Sequence, residues 1–231
     1  MDFIYDGFES KSLSNIWNQK LLAPNSFEIQ SKVVRSGKSA IKIVLNPGDN
    51  FQPKEKSSKA TERNELVEQK ELISSENQDY SYKFSIFLPE DFPIVDTRLV
   101  LAQWKQKDEN NAATIDNPIL ALRYVNGELF ITLQTTEKKN KIFSTTEEIR
   151  GKWLDFKFEV KFSRKNNGFI HIWLNNKQIV TYSGETAYNK AHGYPLEGKF
   201  YFKMGLYRDC MNESMTVYFD DYNKTQSINN S

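Results

Sequence analysis

Leu154-Asp155-Phe156-Lys157-Phe158-Glu159-Val160-Lys161-Phe162 carries an apolar residue at every even position and a charged one at every odd position. Side chains two apart on an extended chain share a face, so this stretch reads as a strand with one face in a core and the other in water. Tyr80-Ser81-Tyr82-Lys83-Phe84-Ser85-Ile86 repeats the pattern. Working outward, further strands are expected at 39–45, 98–105, 119–125, 128–134, 169–174, 178–182, 199–207 and 215–220. Asn126-Gly127 between two apolar runs is a strong signal for a two-residue hairpin, and Asn175-Asn176 a weaker one. Short helices are expected only at Leu13–Lys20 and Thr186–Ala191. About ten strands with almost no helix predict two antiparallel sheets packed face to face, an all-β sandwich of the jelly-roll type with a concave groove.

With 39% hydrophobic and 26% charged residues, the 231-residue chain has enough apolar material for one sizeable core. A single domain over residues 1–222 is expected, with 223–231 as a frayed tail and the polar stretches 46–60 and 106–117 as surface loops. Lys and Arg (31) balance Asp and Glu (30), so no bulk field recruits nucleic acid or an anionic membrane, and an anionic ligand needs a local cluster of cations. The lone Cys210 rules out an intrachain disulfide framework and multi-cysteine metal sites. The start, Met1-Asp2-Phe3-Ile4-Tyr5-Asp6, has neither a basic nor an apolar leader segment. The expected location is therefore secreted or periplasmic with a leader removed, or otherwise cytoplasmic, and the expected state is a monomer.

Three segments gather chemistry-bearing residues. In Glu62-Arg63-Asn64-Glu65-Leu66, Arg63 and Glu65 share a face of an extended chain; a solvated ion pair worth about 0–1 kcal/mol is the plainer reading. In Leu99-Val100-Leu101-Ala102-Gln103-Trp104-Lys105, strict alternation places Gln103 and Lys105 on the face of Leu99 and Leu101, either a strand leaving the core or a groove floor. In Lys199 to Arg208, Phe200, Phe202, Met204 and Leu206 face the core, and Tyr201, Lys203, Gly205 and Tyr207 face away. A glycine between Lys203 and Tyr207 on an outward face leaves room for a ligand, or marks a bulge.

Tyr201-Phe202-Lys203-Met204-Gly205-Leu206-Tyr207-Arg208 resembles the Y-F-K-x-G-x-Y signature of the jelly-roll polysaccharide lyases, in the form found in heparin lyase I and glucuronan lyase. Arg63-Asn64-Glu65-Leu66 resembles their R-x-E-L motif, and Gln103-Trp104-Lys105 is similar to Q-x-H with its third position changed. The motifs occur in the family's order. Asp6-Gly7-Phe8-Glu9, Arg35 to Ala40 and Asn117 to Arg123 extend the likeness along most of the chain, and family-7 alginate lyases are more distantly similar.

The resemblance implies β-elimination on an anionic, uronate-containing polysaccharide. Removing the C5 proton α to a carboxylate builds up negative charge, which Arg63, Asn64 and Gln103 would neutralise; one preorganised donor is worth roughly 3–4 kcal/mol. Tyr207 matches the family's catalytic tyrosine, a proton donor to the leaving O4 oxygen and a candidate base whose phenolate Lys203 and Arg208 would favour. Tyr201, Glu65, Lys203, Arg208 and Arg123 are expected on substrate, with strand capping the alternative for Arg208 and a solvated charge for Arg123. Lys105 stands where the family has histidine, and a protonated amine is no base. His192, in a glycine-containing loop, is the substitute base; His171, beside Phe169 and Trp173, suits a lectin-like face as well as a catalytic one. Trp104 and Trp173 are candidate stacking platforms, although strand aromatics more often fill cores. No cofactor is called for, and a structural calcium ion stays open.

Two other classes fit a sandwich: a non-catalytic carbohydrate-binding module, which needs no proton transfer, and a glycosidase, which needs paired carboxylates about 5–5.5 Å apart. Glu62 and Glu65 point opposite ways on a strand, and Asp220-Asp221 reads as a turn at a strand end.

Overall fold

Alternation along the chain becomes two layers in space. A computed structural model describes residues 3–53, 59–108, 117–189 and 196–227. The strands are β1 (Phe3–Asp6), β2 (Trp17–Asn18), β3 (Phe27–Gln30), β4 (Ala40–Leu45), β5 (Thr61–Glu68) and β6 (Ser74–Ser75). Then come β7 (Asp79–Phe87), β8 (Leu99–Asp108), β9 (Leu120–Val125), β10 (Glu128–Gln134) and β11 (Lys139–Thr145). The chain closes with β12 (Trp153–Lys161), β13 (Gly168–Leu174), β14 (Lys177–Gly184), β15 (Leu196–Asp209) and β16 (Met215–Ser227). All ten expected strands are present; β1, β2, β3, β6 and β11 have too few alternating residues to be read from sequence, and β5 lies outside the ten because its polar run Glu62 to Glu65 carries no apolar alternation.

The first sheet runs β14-β13-β12-β7-β16-β4-β3 with β1 on β16, and the second runs β11-β10-β9-β8-β15-β5-β2 with β6 on β15. The last two strands are thus inserted into the middle of the sheets, β16 between β7 and β4 and β15 between β8 and β5. This crossover makes the sandwich a jelly roll, and it sets three segments far apart in sequence side by side. The even-numbered residues of β12 face inward, where Phe158 meets Trp104 of the other sheet at 4.6 Å and Trp104 meets Phe202 at 4.8 Å. Trp104 is therefore core and not a sugar platform.

The asparagine turns form as their chemistry demands. Asn126 (φ 50°) and Gly127 (φ 80°) join β9 to β10, and Asn175 (φ 49°) with Asn176 (φ 65°) joins β13 to β14, all in the left-handed region that two-residue hairpins require. The helix expected at Leu13–Lys20 is absent. Trp17 instead pairs with Glu68 in β2, and its indole donates to Asp6 Oδ2 at 2.9 Å from a fully buried position. Residues 186–189 are not helical either; 190–191 lie outside the described residues. The one helical turn is Lys70–Leu72, so among the described residues no helix is long and apolar enough to cross a membrane.

Residues 223–227, expected to fray, pair with β7, and 223–225 pair with β1 as well. Lys224 is clamped inside the sandwich by Glu68 at 3.0 and 3.2 Å, which holds the strand end in place. Asp220-Asp221 is not a strand end but a β-bulge within β16, with Asp221 at φ 54°.

The motifs at the start of the chain are structural clips. Asp6 accepts from the Phe8 N–H at 2.8 Å, and Glu9 accepts from the Lys38 N–H at 2.9 Å beside the left-handed Gly37. Together they hold the N-terminal segment against the loop entering β4.

Candidate active site

The centre of the second sheet decides which side chains meet. On β15, Tyr201, Lys203, Gly205 and Tyr207 turn away from the core. Across on β5 the partners are Val67 for Lys203, Glu65 for Gly205 and Arg63 for Tyr207. Across on β8 they are Lys105 for Tyr201, Gln103 for Lys203 and Val100 for Tyr207. One strand further, Arg123 of β9 lies opposite Val100.

This register needs a β-bulge. The register of β8 slips against both neighbours between Val100 and Ala102: facing β9, Leu101 is an extra residue on β8, whereas facing β15 the extra residue lies on β15, between Met204 and Tyr207. Strict alternation put Gln103 and Lys105 on the face of Leu99 and Leu101. The bulge reverses that: Leu99 and Leu101 belong to the core, and Gln103 and Lys105 lie on the opposite, outward face.

The outward face is recessed. Gln103 and Glu65 are 2% exposed and Arg123 is 6% exposed, although all three point away from the core. Glu65 organises the floor. It accepts a hydrogen bond from the Gln103 amide, and its other oxygen lies 3.7 Å from Lys203 Nζ and 3.9 Å from Arg63. The Gln103 bond spans β15, because β8 and β5 flank it, and it passes where Gly205 sits opposite Glu65. Gly205 (φ 146°) is required by the neighbouring backbone and not by a ligand: an added Cβ would lie 2.2 Å from the Asn64 carbonyl oxygen.

Tyr207 sits among guanidinium groups. Arg63 Cζ lies 4.2 Å from the ring centroid and Arg98 Cζ 5.4 Å. Arg98 is anchored by the Asp209 carboxylate, and Arg123 donates from Nε to Thr132 Oγ1 at 3.1 Å. Burial and then the nearby Arg98 charge push the Arg123 pKa down to about 10, with Tyr207 opposing. Lys139 is lowered too, first by burial and then by Arg123 and Arg98. A recess whose cations depress one another is short of an anion.

The face thus gathers Tyr207, Arg63, Gln103, Glu65, Lys203, Arg123, Tyr201 and Lys105. It does not gather Asn64 or Arg208. Asn64 points inward, fully buried, with its amide donating to Val44 O at 2.8 Å and Asp49 Oδ2 at 2.7 Å. Arg208 is likewise buried and donates from Nε to Glu62 Oε1 at 2.8 Å, an ion pair inside the sandwich. Neither position can reach a polymer on the recessed face. His192 lies outside the described residues. His171 and Trp173 are on the outer face of the first sheet, opposite Glu159 and Lys157. Among the described residues no three His, Cys, Asp or Glu side chains gather as a metal site. Arg98 was missed in the sequence because it precedes the apolar run; the visible signal was its place two residues before Val100.

A cationic recess around a phenol has the charge to suit an anionic chain and holds a proton-handling group. Comparison with solved structures gives the same architecture. Endo-β-1,4-glucuronan lyase from the fungus Trichoderma reesei superimposes with a TM-score of 0.72 at 16% identity, covering 97% of this chain and 95% of that one. A family 7 alginate lyase in complex with product gives 0.62 at 14% identity, covering 89% and 85%. The cellulose induced protein Cip1 gives 0.61 at 16% identity, covering 96% of both. No curated protein sequence matches. The family model described as polysaccharide lyase matches residues 5–223, from β1 into β16, so the chain belongs to the polysaccharide lyase family.

Proposed function

We propose that this lyase cleaves a uronate polymer by β-elimination on the recessed face of the second sheet, with Tyr207 moving the proton. The observation that carries this reading is the placement of Tyr207 between Arg63 and Arg98, with the buried Arg123 two strands away on β9. The uronate carboxylate lies toward these guanidinium groups, which offset the charge that builds on it once C5 loses its proton. The Tyr207 oxygen, entering the step deprotonated, takes the C5 proton. The C5–H electron pair becomes the C4=C5 double bond, the C4–O4 bond breaks, and the electrons leaving on O4 accept the proton from the phenol. The products are an unsaturated uronate end and a new reducing end.

Lys105 and Lys203 hold neighbouring sugar carboxylates along the same face, and Lys105 takes no part as a base. Glu65 fixes the Gln103 amide and the Arg63 and Lys203 charges. One group serving both steps must find H5 and O4 on the same side of the sugar ring, as they are in glucuronate and mannuronate but not in guluronate. The test is the ultraviolet absorbance of the C4=C5 product with polyglucuronate, polymannuronate and polyguluronate. Product from either of the first two with none from polyguluronate is expected. Cleavage confined to polyguluronate overturns the single-residue mechanism, and binding without product from any polymer overturns the elimination reading.

A further inference from the structure

The outer face of the first sheet carries a feature that elimination does not use. Its rows pair across β7, β12, β13 and β14. One row sets Asp79 opposite Lys161, whose ammonium meets the Asp79 carboxylate at 3.0 Å. Two rows on, the chain places Lys83 directly opposite Lys157, and Lys157 directly opposite Trp173. Like charges directly opposed on neighbouring strands destabilise a sheet. Lys157 is partly offset by Glu159 at 2.5 Å, whereas Lys83 has no ion-pair partner among the described residues.

Trp173 ends a stripe of three outward rings on β13. Phe169 stacks on His171 with centroids 4.9 Å apart, and His171 meets Trp173 edge-on at 6.3 Å. At about 3.3 Å per residue the stripe is about 13 Å long, the length of a short oligosaccharide. Beside Trp173 lies an open depression of about 620 Å³ reached by Lys83 and Lys157. The carboxylates that line it are already engaged: Asp155, one row from the Lys83–Lys157 pair, holds the Arg35 guanidinium at 2.8 and 2.9 Å, and Asp221 accepts from the Ser36 hydroxyl at 2.6 Å. The Lys157 ammonium lies over the Trp173 ring at 4.5 Å, a weak contact at an exposed site that a sugar ring can take over.

We propose that this face is a second, non-catalytic binding surface for the same anionic polysaccharide, with a sugar ring on Trp173 and a sugar carboxylate between Lys83 and Lys157. The carboxylate supplies the negative charge the lysine pair lacks, and the rings supply the flat apolar surface that a small inorganic anion would not need. Holding one polymer at two faces raises its local concentration at the recessed site. The proposal rests on the uronate reading of the recessed face.

The experiment is affinity electrophoresis of a Tyr207→Phe background through gels containing polyglucuronate, polymannuronate or heparin, with Lys83→Gln/Lys157→Gln and Trp173→Ala added separately. Retardation is expected to weaken at least about fivefold in each. The otherwise wild-type Lys83→Gln/Lys157→Gln protein is expected to keep its turnover of a short oligosaccharide and to unfold at nearly the same temperature, because the repulsion it loses offsets the exposed Glu159 pair it gives up. Product from the wild-type enzyme together with unchanged retardation in both added variants overturns this inference alone. A wild-type protein that neither cleaves nor is retarded by any of the three polymers overturns both this inference and the uronate reading.

Discussion

Each sheet turns one face outward, and the two faces treat charge in opposite ways. On the first sheet Arg35, Asp155, Lys157 and Glu159 have side chains 36–43% exposed and mostly paired with opposite charges, so water screens them. On the second sheet Arg63, Lys203 and Glu65 have side chains only 15%, 7% and 2% exposed, with Arg98 and Arg123 crowding the same recess. An ordinary solvent face has no reason to gather cations where water is scarce. The recess becomes intelligible once a polyanion fills it, and the contrast between the faces locates the site without reference to any motif.

The sharpest way to break this contrast is to remove charge from the recess. Arg63→Ala and Arg98→Ala are each expected to lower kcat about 10²–10³-fold while circular dichroism stays unchanged, as for loss of one preorganised donor. If Arg98→Ala turned over normally, the cations around Tyr207 would have to be reassigned. Next comes the floor. Gly205→Ala forces a Cβ onto the β5 backbone, and a loss of about 2–4 kcal/mol in urea unfolding is expected. An unchanged midpoint would mean that β5 and β15 separate readily.

On the first-sheet side the effects are smaller and concern pH. Burial raises the Asp220 pKa to about 6, against the backbone N–H groups of Ser36, Arg35 and Asp221, which lower it. Its folded value stands above the unfolded one, so the stabilisation is complete below about pH 4 and is lost as pH rises through about 6, a change of order 1–3 kcal/mol. Urea midpoints across this window should lose that slope in Asp220→Asn. Asp155 has the opposite sign. The Arg35 hydrogen bonds hold its carboxyl below the usual range, so their stabilisation is present at neutral pH and is lost on acidification. Because both groups are more than a third exposed, Arg35→Ala is expected to cost no more than about 0.5 kcal/mol at pH 7 in thermal unfolding.

Much of this molecule was legible from residue order. The period-two runs located ten strands, and the three motif segments lie on adjacent strands because β15 is inserted between β5 and β8. What alternation could not supply was the phase of β8. A bulge adds one residue, and its position depends on how two partner strands pair. That shift in phase decides the face of Gln103, whereas Arg98 escapes notice because it precedes the apolar run. Asn64 and Arg208 are expected on substrate because they stand in motifs that resemble the family's, with strand capping the alternative for Arg208. Here they face inward and are satisfied by Val44, Asp49 and Glu62, partners that only the tertiary fold brings near. The aromatic stripe of β13 was visible as letters, whereas the lysine pair beside it needed the β7–β12 register.

The most direct test of the recessed site is a crystal structure of Tyr207→Phe with a tri-uronate oligosaccharide. The sugar chain is expected along β5, β15 and β8, with one carboxylate on the Arg63, Arg98 and Arg123 guanidinium groups and its C5 facing the ring at position 207. Density for the oligosaccharide elsewhere, with the recess filled only by water, would contradict the assignment.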